Sequence, residues 1–179
     1  VLQQDVNFPI ELVIGEDCSR DGTRMVCENY AALHPDRIRL LPSGVNLGMP
    51  GNAARTLAEC RGKYIAICDG DDIWTDPTKL RQQIEFLEKN PDYGIVYTDV
   101  TTISETDTPI VDPDHMRIRK DYADGMVFFN LMGGNFINNS TTVFRRRFLA
   151  EYPIDPERGY YNYDHLLWLR ISAQANVHF

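Results

Sequence analysis

The chain has 179 residues, with 18 Lys and Arg against 26 Asp and Glu, for a formal net charge of −8. An apolar share of 43% suffices for one domain with a real core, and 11% aromatic with 25% charged residues exclude a disordered chain. No apolar run approaches the ~20 residues of a membrane helix, no basic leader suggests a signal peptide, and an acidic chain without Lys/Arg clusters excludes nucleic acid as a natural partner.

Elements follow in chain order. Glu11 to Gly15 is a short apolar run ending in polar residues, a buried strand. Asp21-Gly22-Thr23 starts a helix whose Val26, Tyr30 and Leu33 fall at i, i+4 and i+7, and His34-Pro35 stops it because proline disfavours helical geometry in the residue before it. Arg37 to Leu41 reads as the next strand, followed by a Gly/Asn/Pro loop from 43 to 51. Pro50 opens a small-residue helix through Cys60, Gly62 ends it, and Lys63 to Cys68 forms a third strand. Asp76-Pro77 predicts a helix start, an N-cap acceptor followed by a proline whose missing N–H costs nothing there. Leu80, Ile84 and Leu87 make the apolar stripe of that helix, with Arg81, Glu85 and Glu88 outward. Asn90-Pro91 ends it, and Gly94 to Val100 is another strand.

The second half is less regular. Residues 102 to 122 show no period and read as a binding loop or a disordered one. Ser140 to Phe144 reads as a strand, Asn162 to Ala175 as a helix, and a new strand begins at Asn176. Strand–helix–strand repeats at these spacings imply crossover connections and an α/β domain with a mostly parallel sheet. The start without Met and the stop inside a strand read as a chain cut at both ends.

Four cysteines, Cys18, Cys27, Cys60 and Cys68, form no C-x-x-C pair and no metal-ligand spacing; Cys27, Cys60 and Cys68 read as small core residues in a reduced setting. Asn138 and Asn139 match the glycosylation pattern and, without a secretion signal, read as chance matches.

The sharpest chemical feature is Asp69-Gly70-Asp71-Asp72, at the C-terminal end of an apolar strand, where open α/β sheets bind ligands. Three carboxylates within four residues repel one another unless a cation is shared. Hard oxygen ligands of this kind suit Mg²⁺ or Mn²⁺ bound together with phosphate oxygens; the plainer alternative is a solvated acidic turn. An EF-hand fails, because counting Asp69 as position 1 puts Trp74 at position 6 and Leu80 at position 12. Gly44, Gly48 and Gly51 match no phosphate-cradling glycine motif. Glu16-Asp17-Cys18-Ser19-Arg20-Asp21 also follows a strand; Asp17 reads as an acceptor for a base N–H or a ribose hydroxyl, and Asp21 as a helix cap.

The ordered set Glu16-Asp17-x-Ser19-x-Asp21-Gly22-Thr23, then Asn46-x-Gly48 with Arg55, then Asp69-Gly70-Asp71-Asp72-x-Trp74-x-x-Pro77-x-Lys79-Leu80, resembles the family 2 glycosyltransferases. The resemblance runs from about Ile10 to about Phe179. It implies a GT-A-like, Rossmann-type sheet flanked by helices, incomplete because the family's first strand is missing and because the family continues past Phe179. The single catalytic domain fragment over 1–179 would then have a nucleotide-sugar half, 1–100, and an acceptor half, 101–179.

By position, the resemblance implies that Glu16, Asp17, Asn46, Gly48, Arg55, Asp69 and Gly70 serve the donor, Asp17 at the nucleobase and Arg55 as the nearby basic residue. Asp69 and Asp71 would be the Asp-x-Asp pair for ribose and divalent metal, Asp71 the more direct metal ligand. A Glu-Asp pair opening a late helix supplies the family's catalytic base; here Tyr163 stands where Glu is common, and Asp164 is retained. Asp164 in a first helical turn is favoured in its ionised form by the helix dipole, and an ionised carboxylate can take a proton from an acceptor hydroxyl. Asn135, Trp74 and His165 would border the acceptor.

The implied reaction is an inverting single displacement from a nucleotide-diphosphate sugar to a saccharide or lipid-linked saccharide, in surface polysaccharide biosynthesis. The setting would be cytoplasmic, at the inner face of the membrane, with no membrane span in the chain. Two rivals remain. A nucleotide-sugar-binding domain without catalysis would share every binding residue. A phosphatase forming an aspartyl phosphate would use Asp69 as nucleophile, but Ile73 stands where that motif has Thr or Val, and two crossovers precede it.

Overall fold

A computed structural model describes residues 1–42, 44–151 and 162–179. The chain divides into two compact units. The first comprises Val1, Asn7–Lys63 and Arg146–Tyr163, the second Leu2–Val6, Tyr64–Arg145 and Asp164–Phe179.

In the first unit, β1 (Leu12–Ile14) pairs in parallel with β2 (Ile38–Leu40), Val13 opposite Arg39. Helix α1 (Thr23–Leu33) is the crossover between them, and α2 (Gly48–Glu59) follows β2. Among the described residues, Ile38, Leu41, Leu57, Phe148 on the short helix α6 (Arg147–Glu151), and Tyr163 are the buried apolar residues of this unit. The α1 stripe read from periodicity is present but uncovered. Val26, Tyr30 and Leu33 are 50, 52 and 73% exposed, and no residue of α1 is buried. Helix α2 begins at Gly48 rather than Pro50. Gly48 takes φ +71°, a left-handed conformation that glycine adopts without a Cβ penalty, and its N–H is met by the Asn46 side chain at 3.0 Å.

The second unit is built on a four-stranded sheet of order β3 (Tyr64–Ala66), β5 (Val143–Arg145), β4 (Tyr93–Val96), β6 (Asn176–His178). Phe144 is the shared centre of the register, opposite Ile65 on one side and Ile95 on the other. β3, β4 and β6 run one way and β5 runs against them, since both pairings of β5 are antiparallel and β4 pairs with β6 in parallel. The strand directions are therefore mostly parallel, as expected, with one reversed strand set into the middle.

Helix α3 (Lys79–Lys89) connects β3 to β4, with Leu80 and Leu87 buried as their spacing predicts. It starts two residues later than the Asp-Pro signal suggests. Asp76 accepts the Thr78 N–H and hydroxyl, each at 2.7 Å, and closes a turn ahead of the helix instead of capping it. Those hydrogen bonds hold the Asp76 carboxyl below its ordinary range. The segment from 102 to 122 is not structureless. Asp112 accepts the N–H groups of Asp114 and His115 and caps α4 (Pro113–Ile118), with Pro113 in the first turn. Asp99, after β4, takes His115 at 3.0 Å and Arg119 at 2.8 Å, and so ties this segment to the strand end.

Helix α5 (Phe128–Gly133), which the sequence pattern does not announce, and α7 (Tyr163–Ser172) complete the described α-helices, and short 3-10 turns span Arg119–Asp121 and Asn139–Thr141. Trp168 of α7 is fully buried and meets Phe144 edge-on, ring centroids 5.6 Å apart. All four cysteines are half-buried.

Candidate functional site

The loop after β1 is held together by its own acids and by α2. Glu16 is buried, and its carboxylate accepts the Ser19 N–H and faces Arg24 at 3.5 Å. Asp17 uses one carboxylate oxygen for the Leu47 N–H at 2.8 Å, while its backbone carbonyl accepts the Asn46 amide at 2.8 Å. Asp17, Asn46 and Gly48 are thus brought together in one corner. Arg55 of α2 donates to the carbonyls of Pro42 and Glu16, at 2.6 and 3.1 Å, and to the Asn52 side chain at 2.5 Å. These partners are all neutral, so the guanidinium keeps its full charge beside the loop. Asp21 accepts the Thr23 N–H at 3.0 Å in a turn just ahead of α1, whose N-cap position is Gly22, so the expected Asp21 cap is not formed; hydrogen bonding from the Thr23 side chain and then its N–H holds the Asp21 carboxyl below its ordinary range.

Two residues missed by sequence reasoning keep α2 against this loop. Asn52 donates to the Gly15 carbonyl at 2.6 Å, and Thr56 lies so close that a Cβ on Gly15 would meet its hydroxyl at 1.8 Å.

In the second unit, Asp69-Gly70-Asp71-Asp72 forms an exposed turn at the end of β3, closed by the Asp72 N–H on the Asp69 carbonyl at 3.1 Å. Its main support comes from residues 138–142. The Asp69 N–H donates to the Ser140 hydroxyl at 2.9 Å, and the Asn139 amide reaches both Asp69 carboxylate oxygens, at 3.2 and 3.1 Å. The two asparagines that read in the sequence as chance pattern matches therefore lie in the turn that supports Asp69. Asn138 in turn caps the turn by accepting the Ser140 N–H at 3.1 Å. Trp74 donates its indole N–H to the Ser140 carbonyl at 2.7 Å. The side-chain carboxylates of Asp71 and Asp72 have no hydrogen bond or ion pair among the described residues.

Asp164 lies in the first turn of α7, and its carboxylate accepts the Asn135 amide at 3.0 Å. His165 holds the Leu131 carbonyl of α5 at 2.7 Å. A carbonyl only accepts, so Nε2 carries the proton in that contact. Asn135, Asp164 and His165 are thereby brought together where α5 and its following loop meet the start of α7.

A family model described as glycosyl transferase family 2 matches residues 1–152. The chain belongs to this family. An uncharacterized Mycobacterium tuberculosis protein is 33% identical over 144 residues, covering 80% of this chain and 40% of that protein. Bacillus subtilis EpsE, which its name assigns as a glycosyltransferase, is 37% identical over 95 residues, 53% of this chain and 34% of EpsE. Among solved structures, the mannosyltransferase PcManGT from Pyrobaculum calidifontis, in complex with GDP-Man and Mn²⁺, superposes with a TM-score of 0.67 at 17% identity. That superposition covers 99% of this chain and 47% of PcManGT. The fold is the α/β GT-A fold of these glycosyltransferases, and the chain spans about half or less of the length of the proteins it matches.

Among the described residues, no three His, Cys, Asp or Glu side chains converge as a ready-made metal cage. The acidic turn of this family 2 chain nevertheless fits a hard divalent cation. Mg²⁺-type ions take one or two carboxylates and complete their shell with water and substrate phosphates, and Asp69, held from one side by an amide, with the exposed Asp71 offers such a set. Among the described residues, no helix is long and apolar enough to cross a membrane.

Proposed function

We propose that this chain is the sugar-transferring part of a family 2 glycosyltransferase that takes a sugar from a nucleotide-diphosphate donor and gives it to an acceptor hydroxyl with inversion. The observation that carries the reading is the Asp-x-Asp turn at the end of β3, fixed at Asp69 by Asn139 and Ser140. Residues 1–100 are read as the donor half and 101–179 as the acceptor half of one catalytic domain.

Asp17 accepts an N–H of the nucleobase in a corner that Glu16, Asn46 and Gly48 shape. Arg55, a cation with neutral partners, draws in the anionic donor. Asp69 and the open backbone at Gly70 receive the ribose. Asp71, with Asp69, would hold Mg²⁺ or Mn²⁺, whose charge would offset that of the diphosphate leaving group. Asp164, oriented by Asn135, takes the proton of the acceptor hydroxyl as its oxygen bonds to the sugar C1 and the C1–diphosphate bond breaks on the opposite face. Asn135, Trp74 and His165 are assigned to the acceptor side. The acceptor class is a saccharide or lipid-linked saccharide of surface polysaccharide, met in the cytoplasm at the inner face of the membrane.

The test is a panel of UDP-, GDP- and dTDP-sugars offered to the full-length protein with Mn²⁺ and with chelator, read by thermal shift and by product formation. One nucleotide class should stabilise the protein only with metal, and Asp164→Asn should keep that stabilisation while losing transfer by at least ~100-fold, the lower range for a general base. Stabilisation without transfer in the unaltered protein would favour the binding-domain reading. Phosphate release from simple esters with no nucleotide effect would favour the phosphatase.

A further inference from the structure

Lys79 is 9% exposed at the start of α3, and lysine is almost never buried unless paired. No carboxylate pairs with it among the described residues. Its ammonium donates to the Gln83 side chain at 2.6 Å and to the Thr141 carbonyl at 3.0 Å, and it stands 4.6 Å from the centre of the Trp74 ring. Trp74 holds the neighbouring carbonyl, that of Ser140, and Gln83 adds a second donor to Thr141 at 2.9 Å. Two consecutive carbonyls of one turn are thus gripped from the interior by a stacked lysine and tryptophan. The same turn presents the Ser140 hydroxyl and the Asn139 amide to Asp69 on its other side.

An apolar residue of similar length would fill this space without the cost of removing a charge from water. We propose that Lys79 is a positioning residue for the donor site: a buried cation that, with Trp74, fixes the 138–142 turn so that Asn139 and Ser140 hold Asp69 in its binding geometry. The proposal rests on the reading of Asp69 as donor-binding. Burial pushes the Lys79 ammonium down to about 8, so its charge is lost just above neutral pH. The titratable group facing it is the Cys68 thiol, which burial raises and keeps neutral there. Its other contacts, Gln83, Thr141 and Trp74, are neutral.

The experiment compares unaltered protein, Lys79→Met, Lys79→Arg and Trp74→Phe for Mn²⁺-dependent UDP, GDP and dTDP affinity from pH 7 to 9.5, for melting temperature, and for the side-chain amide NMR signals of Asn139. Lys79→Met should melt no lower than the unaltered protein yet bind nucleotide about 10-fold or more weakly at pH 7, the range seen for outer partners of ligating carboxylates. Affinity of the unaltered protein should fall above pH 8, and Lys79→Arg should restore binding without that fall. Trp74→Phe keeps the ring and loses the grip on Ser140, so it should weaken binding with a small change in melting; it serves if Lys79→Met does not fold. Unchanged affinity in a folded Lys79→Met or Trp74→Phe protein overturns the proposal. If the unaltered protein binds none of UDP, GDP and dTDP, the donor reading fails, and the Asn139 signals decide the positioning claim alone: displaced in Lys79→Met they uphold it, unmoved they overturn it.

Discussion

At Lys79 the requirements of folding and of the proposed site pull in opposite directions, because an ammonium inside protein costs free energy for as long as it is charged. The folded group titrates at about 8 against 10.5 for an ordinary lysine. A depressed pKa means that the unfolded chain binds the extra proton between these two values. The stability contributed is then full above 10.5 and lost as the pH falls through 8. The difference amounts to about 3 kcal/mol at ~1.4 kcal/mol per pKa unit. Urea unfolding should therefore show Lys79→Met more stable than the unaltered protein at pH 7, with the gap closing by pH 10.5; a gap independent of pH would mean the lysine is not buried as a cation. The same residue explains a limit of sequence reading. Lys79 stands in the family motif, but its partners Thr141 and Trp74 meet it through contacts that no local pattern encodes.

At the level of elements, what can be read depends on whether the cause is local. Helix α3 follows from Leu80 and Leu87, and β1 to β3 each fall inside the apolar runs that announce them, whereas β4 starts at Tyr93, one residue before its expected run, and ends at Val96 rather than Val100. The runs are longer than the strands because a strand ends where its partner does: β3 is paired over Tyr64–Ala66 only, opposite Val143–Arg145. Asp76-Pro77 and Asp112-Pro113 carry the same local signal, yet one forms a turn before its helix and the other a true cap, and the segment holding the second shows no apolar period to draw attention to it. Asp17, Asp69 and Asp164 are legible as chemistry, whereas Asn139 is not, since its partner is 70 residues away.

The packing of α2 on β1 is equally silent in sequence. Gly15 has no room for a methyl group, with Thr56 Oγ1 at 1.8 Å and Thr56 Cβ at 3.0 Å from where its Cβ would stand. Gly15→Ala should cost about 1–3 kcal/mol in urea unfolding, the usual price of overpacking. Adding Thr56→Ala should return part of that loss, because it removes the hydroxyl and leaves the approaches of the residue 56 Cβ and of Asn52 Oδ1, each at 3.0 Å.

For the whole molecule, the position of β5 has a consequence in time. β3 and β4 flank β5 in the sheet, yet both precede it in the chain, and the residues that steady Asp69 lie immediately before β5. During synthesis at about 5–20 residues per second, the acidic turn would wait roughly 4–14 s for Asn139 to be made. Meanwhile β3 and β4 present open edges, the feature that invites pairing with other chains. Pulsed hydrogen exchange during refolding should find the amides of β3 and β4 gaining protection in one step with those of β5; earlier protection of β3 alone would contradict this order. A chaperone that shelters the nascent chain over that interval would be guarding the proposed donor site as much as the fold.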